Sequence, residues 1–251
     1  MRRTALALSL AVLPAFAGEP LAYQEGPTKL AGYLARPAAQ GKVPGVLVIH
    51  QWMGLTDHER KVSDDLAKLG YVALAVDVYG EGVRPKTGGE AGKLAGQFKG
   101  DRALYRRRLA AGLEALKAQK GVDSSRLAVI GFCFGGTGAL EAARAGLPVK
   151  GVVSFHGGLD VPADFAPGPL SAKVLVCHGA DDPFVPAKDV AAFQDEMRKS
   201  KADYVFVAYA GAVHAFTQKE AGSDNSKGAA YNEAAHRRSW VHMKAFFAEI
   251  F

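Results

Sequence analysis

A cysteine flanked by glycines stands where an apolar strand pattern gives way to small residues, in the stretch VIGFCFGG at positions 129–136. A sharp strand-to-helix turn of this kind presents its central residue at a helix N-terminus, and Gly131 and Gly135 lack the Cβ atoms that would obstruct it. The helix dipole and the free N–H groups at that end favour a thiolate over a thiol. The pattern predicts that Cys133 is a nucleophile, with a buried structural cysteine as the alternative.

Two loops further along the chain carry the acid and the base that such a nucleophile requires. The loop HGADDPFVP follows one apolar strand pattern and holds Asp181 and Asp182, and the loop YAGAVHAF follows the next and holds His214. We predict Asp182 as the acid, with Asp181 as its alternative, and His214 as the base. The order cysteine, aspartate, histidine along the chain is that of nucleophile, acid and base in α/β-hydrolase sheets.

An oxyanion formed by attack on a carbonyl group needs two N–H donors. One donor is the backbone N–H of Phe134, directly after the nucleophile, and the second is expected in the loop HQWMGL, which follows an early strand. We predict the backbone N–H of Trp52 as the second donor. Core packing is the alternative role for the Trp52 side chain.

Five further histidines show no metal-binding spacing. His58, His236 and His242 fall in helical segments and His156 and His178 at strand ends, so structural roles are predicted for each of them. The sequence contains no Gly-x-Gly-x-x-Gly pattern and no phosphate-loop lysine pattern. We therefore expect neither a metal nor another cofactor.

The loops that carry these residues follow short apolar runs, and these runs alternate with helical patterns along the chain. Continuous apolar runs separated by helix-length segments are typical of parallel strands buried on both faces. The predicted strands lie at 46–49, 72–76, 127–130, 151–155, 174–177 and 204–208, after one or two edge strands within 21–36. The predicted helices lie at 57–69, 101–120, 135–145, 187–201 and 228–251, with Asp57 and Asp101 as N-caps. The predicted fold class is α/β, a single domain with a mostly parallel central sheet and helices on both faces.

Residues 79–100 are rich in glycine and lysine and show no strong core pattern. We interpret them as a loop with at most one short helix. The segment leaves the carboxyl end of a predicted strand, which is where open α/β sheets bind their ligands. It is therefore expected to border the active site.

A cluster of arginines follows, at positions 102, 106, 107 and 108. Its members alternate with Leu104, Tyr105 and Leu109 at helical spacing, so we predict one solvated helix face. A binding patch is the alternative. The chain contains no recognisable RNA or DNA motif, and no nucleic-acid partner is expected.

The chain has 251 residues, 49% apolar and 22% charged, which is enough for one large domain. Its first residues differ, because a basic MRR, an apolar stretch and the small residues AFA together form the pattern of a secretory signal peptide. We predict a signal peptide at 1–17 and a hydrolase domain at 18–251, which places the protein in the periplasm or outside the cell. A retained membrane anchor is the weaker alternative, since a span needs roughly 20 apolar residues.

Cleavage would lower the formal net charge from +6 to +4, because the segment carries two arginines. This mild excess could favour anionic small molecules. Export would also expose Cys133 and Cys177 to an oxidising compartment. A disulfide between them is not expected, because the turn directs Cys133 into a cleft while Cys177 lies within its own strand. A free, activated thiol there would be open to oxidation.

The motifs together resemble the dienelactone hydrolase family of the α/β-hydrolase superfamily. The resemblance covers residues 22–251 and rests on GFCFGG around Cys133, DPFVP after Asp181, GAVHAF around His214, and GY leading to DVYG at 77–80. It implies a cysteine, histidine and aspartate triad that opens lactones or esters through an acyl-enzyme, which water then hydrolyses. Tyr79, in the last motif, is a candidate for substrate binding.

At three positions the sequence differs from the best-known members of this family. Those members have a glutamate that pairs with the thiol, and Gln51 stands at the matching position. Their arginines, which hold the carboxylate of dienelactone, are matched by Glu81 and Gln218. Dienelactone itself is therefore in doubt as the substrate. Basic residues close by in the sequence are Arg84, Lys86 and Lys219, and the substrate-binding candidates are Gln51, Tyr79, Arg84 and Phe184.

The sequence thus predicts an exported, monomeric hydrolase that cleaves a small-molecule lactone or carboxylic ester. Two alternatives stay open. One is a broad carboxylesterase or thioesterase, which only substrate profiling separates from a lactonase. The other is a non-catalytic binding or thiol-redox protein on the same fold, to which Gln51 and the exposed thiol point.

Overall fold

The computed structural model describes residues 18–39, 41–162, 166 and 168–251, and the predicted signal peptide lies outside them. Eight strands form one sheet: β1 (Glu19–Glu25), β2 (Thr28–Ala35), β3 (Val43–Ile49), β4 (Val72–Val76), β5 (Val122–Phe132), β6 (Gly151–Phe155), β7 (Lys173–Gly179) and β8 (Tyr204–Tyr209). The helices are α1 (Asp57–Lys68), α2 (Gly88–Gly100), α3 (Arg102–Lys117), α4 (Phe134–Arg144), α5 (Ala187–Lys199) and α6 (Glu233–Ile250). Two short 3₁₀ turns, Lys219–Ala221 and Asn225–Lys227, precede α6.

The strands lie in the order β1-β2-β4-β3-β5-β6-β7-β8. The pairs β1–β2 and β2–β4 are antiparallel, and every later pair from β4–β3 to β7–β8 is parallel. The parallel arrangement brings the carboxyl ends of β3, β5, β7 and β8 to one edge of the sheet. The loops that carry the predicted site residues therefore leave from the same edge.

Side chains on the two faces of the sheet form two hydrophobic cores. One core packs residues of α2, α3, α4 and α5 against the sheet, and the other packs residues of α1 and α6 against the opposite face. Both faces of each central strand are thus covered, which is why their sequences read as continuous apolar runs. The predicted fold class, a single α/β domain with a mostly parallel sheet and helices on both faces, is confirmed.

The segment 79–100, interpreted as a loop with at most one short helix, contains the 13-residue helix α2 over its second half, which is longer than expected. Thr87 caps this helix by accepting a hydrogen bond from the N–H of Glu90 at 3.2 Å. Ala91, Ala95 and Phe98 form its buried stripe, at spacings of four and three residues. The length of this helix was underestimated because glycines occupy much of its outer face, and glycine is a poor helix former.

Helix boundaries differ from the prediction where capping side chains fix them. Thr56, not Asp57, is the N-cap of α1, and it forms a capping box with Glu59. The other predicted cap is right, because Asp101 accepts a hydrogen bond from the N–H of Leu104 at 2.8 Å. The last helix begins at Glu233 and not at residue 228, since Asn232 caps it.

The prediction that the arginine cluster is one solvated helix face is wrong for two of its members. Arg102 and Arg108 are buried, and they form ion pairs with Glu141 and Glu25 at 3.4 and 2.8 Å. The cluster makes three further carboxylate contacts: Arg102 with Asp160, Arg106 with Glu141 and Arg107 with Glu25. The cluster therefore ties α3 to its neighbours, and the alternative of a binding patch has no support here.

Within the described ranges, no helix is long and apolar enough to cross a membrane. The same part of the chain holds no group of three or more histidine, cysteine or acidic side chains that could bind a metal ion.

Candidate active site

The turn at Cys133 has the backbone geometry of a strained elbow. Cys133 has φ 53° and ψ −115°, a region that side-chain-bearing residues rarely adopt, and α4 begins at the next residue. A Cβ atom on Gly131 would lie 1.9 Å from the carbonyl oxygen of Gly135, and one on Gly135 would lie 2.3 Å from that of Ile49. Strand and helix approach so closely that only glycine fits at both positions.

Asp182, His214 and Cys133 lie together at this site. The Nδ1 atom of His214 lies 2.8 Å from Oδ2 of Asp182, and the His214 ring and the Cys133 thiol line the same cleft, close enough for each to shift the pKa of the other. The buried Asp182 accepts a second bond, from the N–H of Phe184 at 2.9 Å. Asp181, the alternative acid, is exposed and instead accepts the N–H of Gly211 at 3.0 Å. The structure thus places Asp182, and not Asp181, beside His214.

The electrostatics of this chain favour an ion pair between thiolate and imidazolium. Burial raises the pKa of the Cys133 thiol, but the hydrogen bond and charge of His214, the N–H of Phe134 and the charge of Lys99 bring that pKa below its ordinary value. Burial lowers the pKa of His214, whereas the hydrogen bonds to Asp182 and Cys133 raise it to about 10. Each partner therefore stabilises the charged form of the other.

The thiol and the imidazole open into a cleft of about 440 Å³. Phe184 is 61% exposed and packs edge-to-face on His214, with ring centroids 5.5 Å apart. Trp52 is 42% exposed, so core packing, the alternative for its side chain, is wrong. The lining consists of Gln51, Trp52, Cys133, Phe184, His214, Ala215, Gln218, Ala221 and Ala229. No lysine or arginine belongs to this lining as far as the described residues show.

Of the two predicted oxyanion donors, Trp52 lines the cleft and Phe134 directly follows the nucleophile at the start of α4. The N–H of Phe134 lowers the pKa of the Cys133 thiol, so it lies close to the atom that would attack. The carbonyl of Trp52 accepts the hydroxyl of Tyr79 at 2.9 Å, which fixes the peptide orientation of this loop. In the described part of the chain no hydrogen bond occupies the Trp52 N–H. The Trp52 N–H is therefore available to a developing oxyanion.

Two of the substrate-binding candidates lie behind the cleft and not in its lining. Tyr79 is buried and supports the Trp52 loop. Arg84 turns to Asp77 at 3.4 Å and to the carbonyl of Val83 at 2.6 Å. Glu81 lines a different surface depression, so of the two positions where the family has arginines only Gln218 faces the cleft.

A buried glutamate that the sequence analysis missed holds the Trp52 loop in place. Glu59 lies in the first turn of α1 and is fully buried. Its carboxylate accepts the N–H of Gln51 at 3.2 Å and both the N–H and the hydroxyl of Thr56, at 2.8 and 2.7 Å. The signal in the sequence was the spacing Thr-x-x-Glu, which is a capping box.

His156, to which the sequence analysis gave a structural role, lies directly behind the nucleophile. It is fully buried, has φ 39°, and its Nδ1 atom accepts the N–H of Cys133 at 3.1 Å. Its Nε2 atom lies 2.8 Å from Oγ1 of Thr217. Burial and the charge of His214 hold the pKa of His156 well below its ordinary value, so this ring stays neutral. Its position next to the elbow follows from the pairing of β5 with β6.

The second cysteine has the opposite environment from the first. Burial raises the pKa of Cys177 to about 12, and its sulfur accepts the hydroxyl of Tyr209 at 3.4 Å. Both thiols are free in the structure. Only Cys133 combines a lowered pKa with a place in the cleft, which is the combination that a reactive cysteine needs.

Comparison with known proteins decides the family. The model of the dienelactone hydrolase family matches residues 30–251, nearly the whole described chain. The chain belongs to the dienelactone hydrolase family. The resemblance predicted from the sequence motifs is therefore confirmed. The protein is a hydrolase that acts on ester or lactone bonds.

Relatives in this family are similar over most of their length. A protein of Bradyrhizobium sp. named "Probable 2-oxo-3-(5-oxofuran-2-ylidene)propanoate lactonase" is 33% identical over 76% of this chain and 80% of its own. Among solved structures, a dienelactone hydrolase-like promiscuous phosphotriesterase from metagenomic libraries is 40% identical, with a TM-score of 0.89, over 93% of this chain and 98% of that one. The structure named m3DLH is also 40% identical, with a TM-score of 0.90, over 94% and 99%.

Proposed function

We propose that this family member hydrolyses a lactone or carboxylic ester through an acyl-enzyme on Cys133, with His214 as base and Asp182 as the group that orients it. The observation that carries the proposal is the hydrogen bond between Asp182 and His214, with the His214 ring and the Cys133 thiol together in one cleft. A nucleophile, a base and a group that holds the base are the elements that covalent catalysis requires.

In the first half of the reaction, the Cys133 thiolate attacks the carbonyl carbon and forms a carbon–sulfur bond. The carbonyl electron pair moves to oxygen, where the N–H groups of Phe134 and Trp52 stabilise the charge. When the carbonyl re-forms, the bond to the alcohol oxygen breaks, and His214 donates its proton to that oxygen. For a lactone, the new hydroxyl stays attached to the acyl group.

In the second half, water attacks the thioester carbon while His214 removes a proton from it. The carbon–sulfur bond breaks, and the carboxylic acid leaves Cys133 as a thiolate beside protonated His214. Asp182 accepts the Nδ1–H of His214 throughout, which fixes the ring and stabilises its positive charge.

The cleft favours an uncharged substrate. Its lining is mostly apolar, and Gln51 and Gln218 are its polar side chains besides those of the proposed triad. No described lining residue is a lysine or arginine that could hold a substrate carboxylate. We infer that neutral lactones and esters bind better than anionic ones, because a carboxylate in this cleft would lose hydration and meet the Cys133 thiolate without gaining a lysine or arginine partner.

The test compares initial rates with dienelactone, its methyl ester and simple aryl acetates, for the protein and its Cys133→Ala variant. We expect cysteine-dependent turnover, with the neutral lactone preferred over the anionic one. A preference for aryl acetates would move the function to a broad carboxylesterase, and thioester profiling would separate a thioesterase. Turnover that persists in Cys133→Ala would overturn the mechanism, and no turnover at all would favour the binding or thiol-redox alternative.

Phosphotriesters are a second candidate substrate class. The specific observation is that the 40% identical neighbour of known structure is described as a promiscuous phosphotriesterase. A thiolate that attacks a carbonyl carbon can also attack phosphorus, with expulsion of an aryloxide to His214. A diethyl aryl phosphate should release its phenol with a phosphorylated Cys133 detectable by intact mass, and a lack of both release and adduct excludes this class.

We also infer from the sequence that the protein is exported and monomeric. Export rests on the signal-peptide pattern at 1–17, and the mature protein would begin at Gly18. N-terminal sequencing of protein recovered from the periplasm or the medium tests the cleavage site. Light scattering of the purified protein tests the monomer, since a dimer would have twice the mass of one chain, which is 26.5 kDa for the full sequence.

A further inference from the structure

A second cavity, of about 550 Å³, lies between α1, α6 and the segment that follows the site histidine. It shares no lining residue with the cleft that holds Cys133. Two of its lining residues are close neighbours of the site, however. Phe132 directly precedes the nucleophile, and Thr217 hydrogen-bonds His156, which in turn accepts the N–H of Cys133.

Aromatic side chains form much of the cavity wall. Tyr231, Trp240 and Phe132 all line it, together with His236. The ring of His236 packs against Tyr231 and Trp240, with centroids 5.6 and 6.4 Å away. A wall of this kind offers a planar ligand the offset-stacked and edge-to-face contacts that aromatic rings prefer.

The charge in the cavity is positive on balance. Four lysines line it against two carboxylates, and one of these, Asp65, is already paired with Lys61 and Lys68 at 2.5 and 2.8 Å. Lys219 and Lys244 make no ion pair with any described residue. They leave positive charge at the rim that an anionic ligand group could pair with.

Polar groups within the wall also lack full partners. The Nε2 atom of His58 is buried without a hydrogen-bond partner among the described residues. Thr217 is 3% exposed, and the bond of its hydroxyl with the neutral His156 uses the hydroxyl oxygen as the acceptor. Its O–H proton is then still available, since no other hydrogen bond within the described ranges involves it. A ligand oxygen could accept that proton.

We propose that this cavity is a second binding site, and that its ligand is a small aromatic carboxylate. The ring would lie against Trp240 and Tyr231, and the carboxylate would pair with Lys219 and Lys244. Accepting the Thr217 proton would polarise the bond from His156, because hydrogen bonds in a chain strengthen one another. Occupancy would therefore alter the reactivity of Cys133 from outside the cleft.

The binding test uses 2-naphthoate as the probe and calorimetry as the readout, on protein alkylated at Cys133 with iodoacetamide so that the cleft is blocked. We expect 2-naphthoate to bind and uncharged 2-naphthamide to bind roughly tenfold more weakly. Lys244→Gln and Lys219→Gln should each lower the affinity for 2-naphthoate by about tenfold. Lys188→Gln, which removes an exposed lysine elsewhere, is the matched control and should leave binding unchanged.

Equal affinity for the acid and the amide, or an affinity that Lys244→Gln leaves unchanged, would overturn the site. So would binding that disappears when Cys133 is alkylated, because the ligand would then have been in the cleft. These outcomes leave the proposed hydrolysis untouched, since they are read without any substrate.

The link to the nucleophile is measured as the rate of Cys133 alkylation with and without saturating 2-naphthoate. We expect at least a twofold change, absent in Lys244→Gln and in Thr217→Val. A change that survives in Lys244→Gln would mean protection by a ligand in the cleft and would overturn the link. Binding without any change in rate would overturn it as well, while the site itself would stand.

Discussion

The N–H of Cys133 donates a hydrogen bond to Nδ1 of His156, 3.1 Å away, so a buried neutral imidazole supports the nucleophile from behind. His156 is itself in the left-handed region, with φ 39°, as is Cys133 at φ 53°. Two strained residues thus brace each other across the carboxyl ends of adjacent strands. Such strain persists only where surrounding contacts fix it.

Replacing His156 is expected to damage catalysis through the backbone of Cys133. His156→Phe removes one of the two acceptors of the Cys133 N–H and leaves the Phe155 carbonyl at 3.0 Å, and it should lower kcat by about tenfold, with slower alkylation of Cys133 by iodoacetamide. His156→Asn keeps an acceptor near Nδ1 and tolerates positive φ, so it should retain more of both rates. A merely structural role would lower thermal stability in both variants without moving the pH dependence of alkylation, and that result would contradict this prediction.

The two adjacent aspartates provide a matched pair of variants. Asp182→Asn should lower kcat by a factor on the order of 10⁴, because His214 would lose the charge that holds its ring and stabilises its proton. Asp181→Asn should leave kcat nearly unchanged, since that carboxylate is exposed and bonds only a loop N–H. Steady-state kinetics with one ester decides between them, and equal losses would show that the loop and not the acid is what matters.

Much of the fold was predictable because its strands are buried on both faces. The runs at 72–76 and 151–155 match β4 and β6 residue for residue, since a continuous apolar run has few other stable placements. The turn at Cys133 was also predictable, because it depends on the glycines next to it in the sequence. Asp182 was preferred over Asp181 from the sequence, and the structure places it beside His214.

What could not be predicted depends on long-range contacts. Arg102 and Arg108 look like solvent-facing residues in the sequence, and only the acids brought to them by β1 and α4 allow their burial. The same holds for His156, whose importance depends on the pairing of two strands. A terminal histidine on an apolar strand gives no sign of which residue it will contact.

The pH dependence of activity should follow the coupled pair of Cys133 and His214. As pH rises through the lowered pKa of the thiol, the thiolate forms and kcat/KM should increase. As pH rises further, through about 10, His214 loses the proton that the leaving group needs, and the rate should fall. In Asp182→Asn the alkaline limb should move to lower pH, because Asp182 is the main group that raises the pKa of His214. A profile with an unmoved alkaline limb would contradict the assignment.

Glu59 should act on the reaction only through the loop that it holds. Glu59→Ala leaves the N–H of Gln51 and the N–H of Thr56 without acceptors, and we expect roughly 1–3 kcal/mol of lost stability. It should also lower kcat by about tenfold or more, since the Trp52 N–H would lose its fixed position. Glu59→Gln keeps one acceptor oxygen and should rescue part of both losses. Unchanged kcat in a folded Glu59→Ala protein, checked by circular dichroism, would exclude this role.

Placing a carboxylate at position 51 tests how the cleft controls the pKa of the Cys133 thiol. Gln51 lines the cleft together with Cys133, and its Nε2 atom is buried without a partner among the described residues. Gln51→Glu would place a negative charge beside the thiolate, so the pKa of Cys133 should rise and iodoacetamide should react more slowly near neutral pH. The matched variant Gln218→Glu changes the other glutamine of the lining and separates a local effect from a general change in charge. If both variants slow alkylation equally, position 51 has no special relation to the thiol. If only Gln51→Glu does so, the neutral glutamine is what keeps the thiolate of this protein formed before substrate arrives.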